Sequence, residues 1–187
     1  MRVKLAAILC IAIILCGCKN SEDSLKEGMA LRREILESSG CSFHSTVTAD
    51  YGEKIYVFQM DCKTDKEGTL QFAVTSPDTI SGIGGRLSGS GGEILFEDTA
   101  LAFELLAEEQ LSPVSAPWIF LKTLRSGCMT SVCREDDLLR LSVDDSYEED
   151  PLRLDIWLDA ENRPVNADIL YDGRRILSLG VENFEIL

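Results

Sequence analysis

The chain has 187 residues, of which 45% are hydrophobic and 27% charged, and it carries a net charge of −14. That length buries one core of ordinary size and requires no second domain. Lys and Arg number 18 against 32 Asp and Glu, with no basic run of length, which argues against nucleic acid as a partner because phosphates are neutralised by clustered Lys and Arg.

Arg2 and Lys4 lead into an unbroken apolar run from Leu5 to Cys16, and no acidic residue comes before Glu22. A positive start followed by a short apolar stretch is the pattern of a secretory signal. The run is shorter than the roughly 20 residues that cross a bilayer, so a permanent membrane helix fits less well. It ends in Leu15-Cys16-Gly17-Cys18, which resembles the bacterial lipobox, with an aliphatic residue, a small residue and then the cysteine that receives lipid. Residues 1–17 are therefore expected to be a signal peptide and 18–24 a lipidated tether, with 25–187 a single domain. Cleavage before Cys18 removes two positive charges, taking the net charge from −14 to −16. The expected location is the outer face of a bacterial membrane, held there by the lipid on Cys18.

A helix follows the tether. Leu25, Met29, Leu31 or Arg32, Ile35 and Leu36 recur at helical spacing, Ser24 is placed to cap the start, and Gly40 stands just past the end. From Cys41 the period changes to two. Segments 41–49 and 54–63 flank a turn signal at Asp50-Tyr51-Gly52-Glu53 and predict a hairpin. A third strand over 69–75 ends at Ser76-Pro77-Asp78, where proline cannot donate to a ladder. Residues 80–92 hold six glycines and read as a bent strand or a mobile loop. Ile94-Leu95-Phe96 is another strand pattern, Glu97-Asp98-Thr99 a turn, and 100–106 either helix or strand. Ser112-Pro113-Val114-Ser115-Ala116-Pro117 announces a second helix, whose Trp118, Leu121 and Leu124 share a face up to Gly127. Strand patterns then recur at 128–134, 138–143, 152–158, 165–171 and 174–186, with Asp172-Gly173 as the strongest hairpin signal. No βαβ alternation appears, so the chain is α+β, mainly antiparallel β, with helices on one face of a large sheet.

Little in the sequence suggests catalysis. His44 is the sole histidine, which leaves no pair for a two-histidine metal site and no base for a nucleophile triad. Gly84 and Gly89 have phosphate-loop spacing, but Ser90-Gly91 stand where the lysine and hydroxyl residue belong. The acids at Asp136-Asp137 and between Asp144 and Asp150 lack the glycine and terminal glutamate of a calcium loop and read as solvated connections. No metal, no cofactor and no catalytic residue is expected. A hydrolase of envelope material, using carboxylates that the fold assembles, is the competing reading.

With Cys18 lipidated, Cys41, Cys62, Cys128 and Cys133 remain, an even number in an oxidising location. If the first hairpin folds about Tyr51-Gly52, Phe43 faces Met60, Val47 faces Tyr56, and Cys41 faces Cys62 at a non-hydrogen-bonded site, where the Cα separation of about 4.5 Å suits a disulfide. Cys128 and Cys133 can join only across a turn near Thr130-Ser131, because five residues of strand span about 16 Å.

The layout, with Tyr56-Val57-Phe58, Phe72 to Ile83 and Ser112 to Trp118 as its most telling segments, resembles the LolA/LolB-like lipoprotein-carrier superfamily, and within it the clostridial germination-lipoprotein branch. The resemblance covers roughly residues 25–187 and rests on strand and turn patterns. It implies an incomplete, half-closed antiparallel β-barrel covered by helices, and no catalytic residue. The carrier branch implies an apolar cavity for acyl chains, and the clostridial branch a protein-binding surface for a partner such as a cell-wall amidase. Apolar residues on both parities at 55–58 and 154–158 suggest an apolar concave surface between sheet and helix, with Tyr56, Phe58, Trp118, Leu121 and Trp157 as its expected members.

Overall fold

The computed structural model describes residues 23–52, 54–96, 99–103, 106–107 and 110–187. The expected signal peptide, Cys18 and most of the expected tether lie outside the described residues, as do Glu97 and Asp98 of the expected turn.

The described part of helix α1 covers 23–37, so Ser24 lies inside it and not at its cap. Gly28, Leu31 and Ile35 form its buried stripe, and a Cβ on Gly28 would sit 2.8 Å from Leu141 Cδ2, so the missing side chain lets the helix press onto the sheet. Strands β1 (Cys41–Asp50), β2 (Ile55–Thr64), β3 (Leu70–Ser76), β4 (Gly84–Ser88), β5 (Gly91–Phe96) and β6 (Thr99–Phe103) follow. The two-residue strands β7 (Leu106–Ala107) and β8 (Gln110–Leu111) pair with each other. A 3-10 turn at Pro113–Ser115 leads into α2 (Ala116–Ser126). The chain ends in β9 (Cys128–Glu135), β10 (Leu138–Asp144), β11 (Arg153–Leu158), β12 (Pro164–Tyr171) and β13 (Arg174–Ile186).

Eleven strands form one sheet in the order β6-β5-β4-β3-β2-β1-β13-β12-β11-β10-β9, every described ladder antiparallel. Two meanders, an N-terminal wing (β1–β6) and a C-terminal wing (β9–β13), meet at the β1–β13 seam. Among the described residues the sheet does not close on itself. It is an open half-barrel with edges at β6 and β9, and both helices pack on its inner face. Alternation decides which side chains face inward: Phe43 and Val47 on β1, Met60 and Cys62 on β2, Leu154, Ile156 and Leu158 on β11, all buried. Phe120 of α2 meets Phe43 edge-on at 6.0 Å between ring centroids. Arg32 of α1 donates to the carbonyl oxygen of Leu124 at 2.7 Å, which seats α1 against the end of α2.

One expectation needs correction and two open alternatives are resolved, both as strand. The first hairpin folds one residue later than expected: the Tyr51 amide donates to the Lys54 carbonyl, and Gly52, at φ +83°, takes the first central position of the turn. A two-residue hairpin turn favours positive φ there, which only glycine adopts freely. Every partner consequently moves by two residues, with Phe43 opposite Cys62 and Val47 opposite Phe58, while the inward parity is unchanged. Residues 80–92 form no long loop: after a turn they give most of the β4–β5 hairpin. The described residues of 100–106 are strand and not helix.

Candidate functional site

One row of side chains crosses the inner face of the N-terminal wing at right angles to its strands. Register places Phe43 beside Cys62, Cys62 beside Phe72, Phe72 beside Gly85, Gly85 beside Ile94, and Ile94 beside Leu101. The first four are buried, Ile94 is half-buried, and Leu101 is 62% exposed. Cover therefore runs out along a single row as it leaves the helices. Gly85 makes the floor: a Cβ there would lie 2.7 Å from the Phe72 ring and 2.3 Å from the Glu93 carbonyl oxygen, so the ring fills the space above β4. Tyr56, on the same face of β2, is 49% exposed at the rim, its ring 6.1 Å from that of Tyr51.

The five residues expected on an apolar surface separate into three groups. Phe58, Trp118 and Leu121 are buried between sheet and helix and belong to the packed interior, with Lys122 Nζ 5.9 Å from the Trp118 ring centre. Tyr56 alone is an exposed inner-face residue. Trp157 points the opposite way, because Leu154, Ile156 and Leu158 take the inward parity of β11. On the outer face its Nε1 donates to Glu135 Oε2 at 3.0 Å, beside an Arg140–Glu135 ion pair and a Ser142 hydroxyl that donates to Asp155 at 2.6 Å. Leu101 and Ile94 were not singled out from the sequence. The alternation of Thr99-Ala100-Leu101-Ala102-Phe103 was the signal for them, obscured because its length also suits a helical turn.

The four cysteines are free thiols in the structure. Cys41 sits diagonally to Cys62, and diagonal neighbours on adjacent strands stand about 7–8 Å apart, beyond the Cα separation a disulfide accepts without backbone movement. The corrected turn is the reason. Cys128 and Cys133 lie on one continuous strand, and Thr130 marks a bulge there, not the turn that joining them requires. Burial pushes the thiols of Cys41 and Cys62 up, Cys62 the more strongly, so neither is a ready thiolate nucleophile.

His44 lies on the outer face, where its Nδ1 is 2.8 Å from Asp61 Oδ1. Several carboxylates are held in ion pairs: Asp144 with Arg153 at 3.0 Å, Asp145 with Lys122 at 3.2 Å, Asp168 with Arg175 at 3.3 Å, and Glu34 with Arg163 at 2.9 Å. The Arg163 hydrogen bond holds the Glu34 carboxyl below its usual range. Among the described residues, no group of three or more His, Cys, Asp or Glu could hold a metal ion, and no helix is long and apolar enough to cross a membrane.

No family model matches the chain, and no curated protein matches it. Solved structures of similar architecture include an uncharacterized conserved protein from Thermus thermophilus, with 11% identity and a TM-score of 0.48 over 88% of each chain. A LolA superfamily protein from Nitrosomonas europaea has 6% identity and a TM-score of 0.45, covering 86% of this chain and 93% of its own. The Mycobacterium tuberculosis lipoprotein LppX has 11% identity and a TM-score of 0.41, covering 87% and 93%.

Proposed function

We propose that this protein is a non-enzymatic binding protein of the bacterial envelope, tethered by lipid on Cys18, which holds an apolar ligand against the uncovered inner face of β5 and β6. The observation that supports this reading is the loss of cover from Phe72 through Ile94 to Leu101, which leaves apolar side chains on a concave face where packing would otherwise bury them. A contact of this kind selects a ligand by apolar area, as an acyl chain or an apolar peptide surface does. The lipobox and the strongly acidic mature chain fit a protein kept at the membrane by its lipid and not by surface charge.

Native mass spectrometry of the lipidated protein extracted in detergent, beside affinity capture from the native envelope, tests the reading. Lipid-sized adducts, lost on delipidation and absent from Leu101→Glu, are the expected result for a lipidic ligand. Recovery of one envelope protein, such as the cell-wall amidase implied by the clostridial resemblance, with loss of capture in Leu101→Glu, would place a protein on the same face. Hydrolysis of cell-wall material by the purified protein, or adducts and partners indifferent to Leu101, would overturn it. Cys18→Ser should leave the precursor unprocessed or released from the membrane, as read by fractionation.

A further inference from the structure

The β1–β2 hairpin rises above the strand next to it. The β2–β3 ladder begins at Gln59 opposite Ser76, and Pro77, which has no N–H, then takes the chain away. Residues 55–58 are paired with β1 alone, and among the described residues no strand pairs with their other side. The direction of their backbone groups follows from the turn. The Tyr51–Lys54 hydrogen bond makes 51:54 a bonded pair, and bonded and unbonded pairs alternate, so 49:56 and 47:58 are bonded while 50:55 and 48:57 are not. Tyr56 and Phe58 thus spend their N–H and C=O on β1. Ile55 and Val57 aim two N–H and two C=O groups into the empty lane above Ser76.

The side chains beside this lane are apolar on both faces. Ile55 and Val57 are 64% and 54% exposed on the outer face, and Tyr56 lies exposed on the inner one. An uncharged Ile-Tyr-Val-Phe segment with free ladder groups is a template for one more strand. From this register we infer that the lane above Ser76 is a strand-addition site that takes a short extended segment of another protein, apolar on both faces and flanked by Lys or Arg. The backbone groups specify an extended peptide, the exposed side chains an apolar one, and the net charge of −14 favours a basic partner over a second copy of this equally acidic chain. This site is independent of ligand binding at Leu101, which involves other strands and no backbone pairing.

Residue-resolved hydrogen exchange on the whole protein in nonionic detergent tests it, with a capped synthetic peptide of five residues, Val-Thr-Val-Ile-Val, between Lys-Lys pairs as the probe. Peptide should slow exchange at the Ile55 and Val57 amides by about tenfold or more while leaving Tyr56 and Phe58, already bonded to β1, unchanged. Val57→Pro removes one outward donor and no bond to β1, and should abolish protection at Ile55. The same peptide N-methylated at alternate residues, which cannot complete the ladder, should fail with the protein unaltered. Absence of protection at millimolar peptide, equal protection by the N-methylated peptide, or protection that rises with protein concentration without peptide would each overturn the proposal, the last by showing a second copy in the lane. Leu101→Glu should leave this protection intact, which separates failure here from failure of the ligand site.

Discussion

The two wings of the sheet are built from similar hairpins and are covered to different extents. In the C-terminal wing the inward side chains of β10 to β12, Leu141, Val143, Leu154, Ile156, Leu158, Ala167 and Ile169, are fully buried beneath α1 and α2, and only the edge strand β9 is less covered, with Met129 and Val132 half-buried. In the N-terminal wing burial is complete at Leu70 and Leu87 but fails by Leu101, two strands further out. Strand propensity does not separate them, since Thr99 to Phe103 alternates as well as Leu154 to Leu158. Helix placement does. Ion pairs and hydrogen bonds to the C-terminal wing, Arg134 with Glu27, Arg163 with Glu34, and the Asn162 side chain donating to the Glu27 carbonyl, hold α1 over that side. A half-barrel can thus be a packed core on one side and a receptive surface on the other.

The wings should differ most at Ile156, which is fully buried where Leu101 is exposed. Ile156→Ala opens a cavity under the helices and should cost about 2–5 kcal/mol in urea unfolding, whereas Leu101→Ala should cost under about 0.5 kcal/mol because its site is already open. Equal costs would mean that the wings are covered alike. Gly85→Ala should come next, at about 1–3 kcal/mol, because its methyl has no space between the Phe72 ring and the Glu93 carbonyl. Arg32→Met removes the charged donor from the Leu124 carbonyl and should cost about 1–2 kcal/mol, read as a lower thermal midpoint.

Arg163→Gln should cost less than about 1 kcal/mol, since both partners are partly exposed. Its pH dependence is the sharper reading. The pair lowers the Glu34 pKa, so its stabilisation is present above the ordinary glutamate value and disappears as pH falls through the lowered one. The midpoints of wild type and Arg163→Gln should therefore differ at neutral pH and converge in acid. A difference that persisted in acid would assign the effect to packing of the arginine stem.

Strand existence was legible in the sequence because period two survives wherever one face is buried, as in Cys41 to Ala49 and in Arg153 to Leu158. Register was not, because it hinged on which of two adjacent turn positions Gly52 would occupy. That choice depends on the twist of the finished hairpin. The inward direction of Phe58, Trp118 and Leu121 was legible, but their burial was not, since local pattern does not say where a helix comes to rest. Trp157 shows the same limit in reverse: its apolar ring drew it to the inner set, although the leucines and isoleucine on either side had already taken that parity. Its indole N–H and the acidic Glu135 two strands away make the outer position comfortable.

Strand order also sets a sequence of events in folding. Each wing is a chain of hairpins between neighbours in sequence, which close quickly because little loop entropy is lost. The seam is the exception, since Cys41 pairs with Ile186, and all the other strands of the sheet lie between β1 and β13 in sequence. Whenever the amino end is free to fold first, β1 must wait, with one edge bare, until the last strand arrives. The wings should gain amide protection early in refolding and the β1–β13 ladder last, an order that pulse-labelled hydrogen exchange would resolve. Loss of the final few residues would then harm the maturation of this protein far more than an equal loss from an exposed loop.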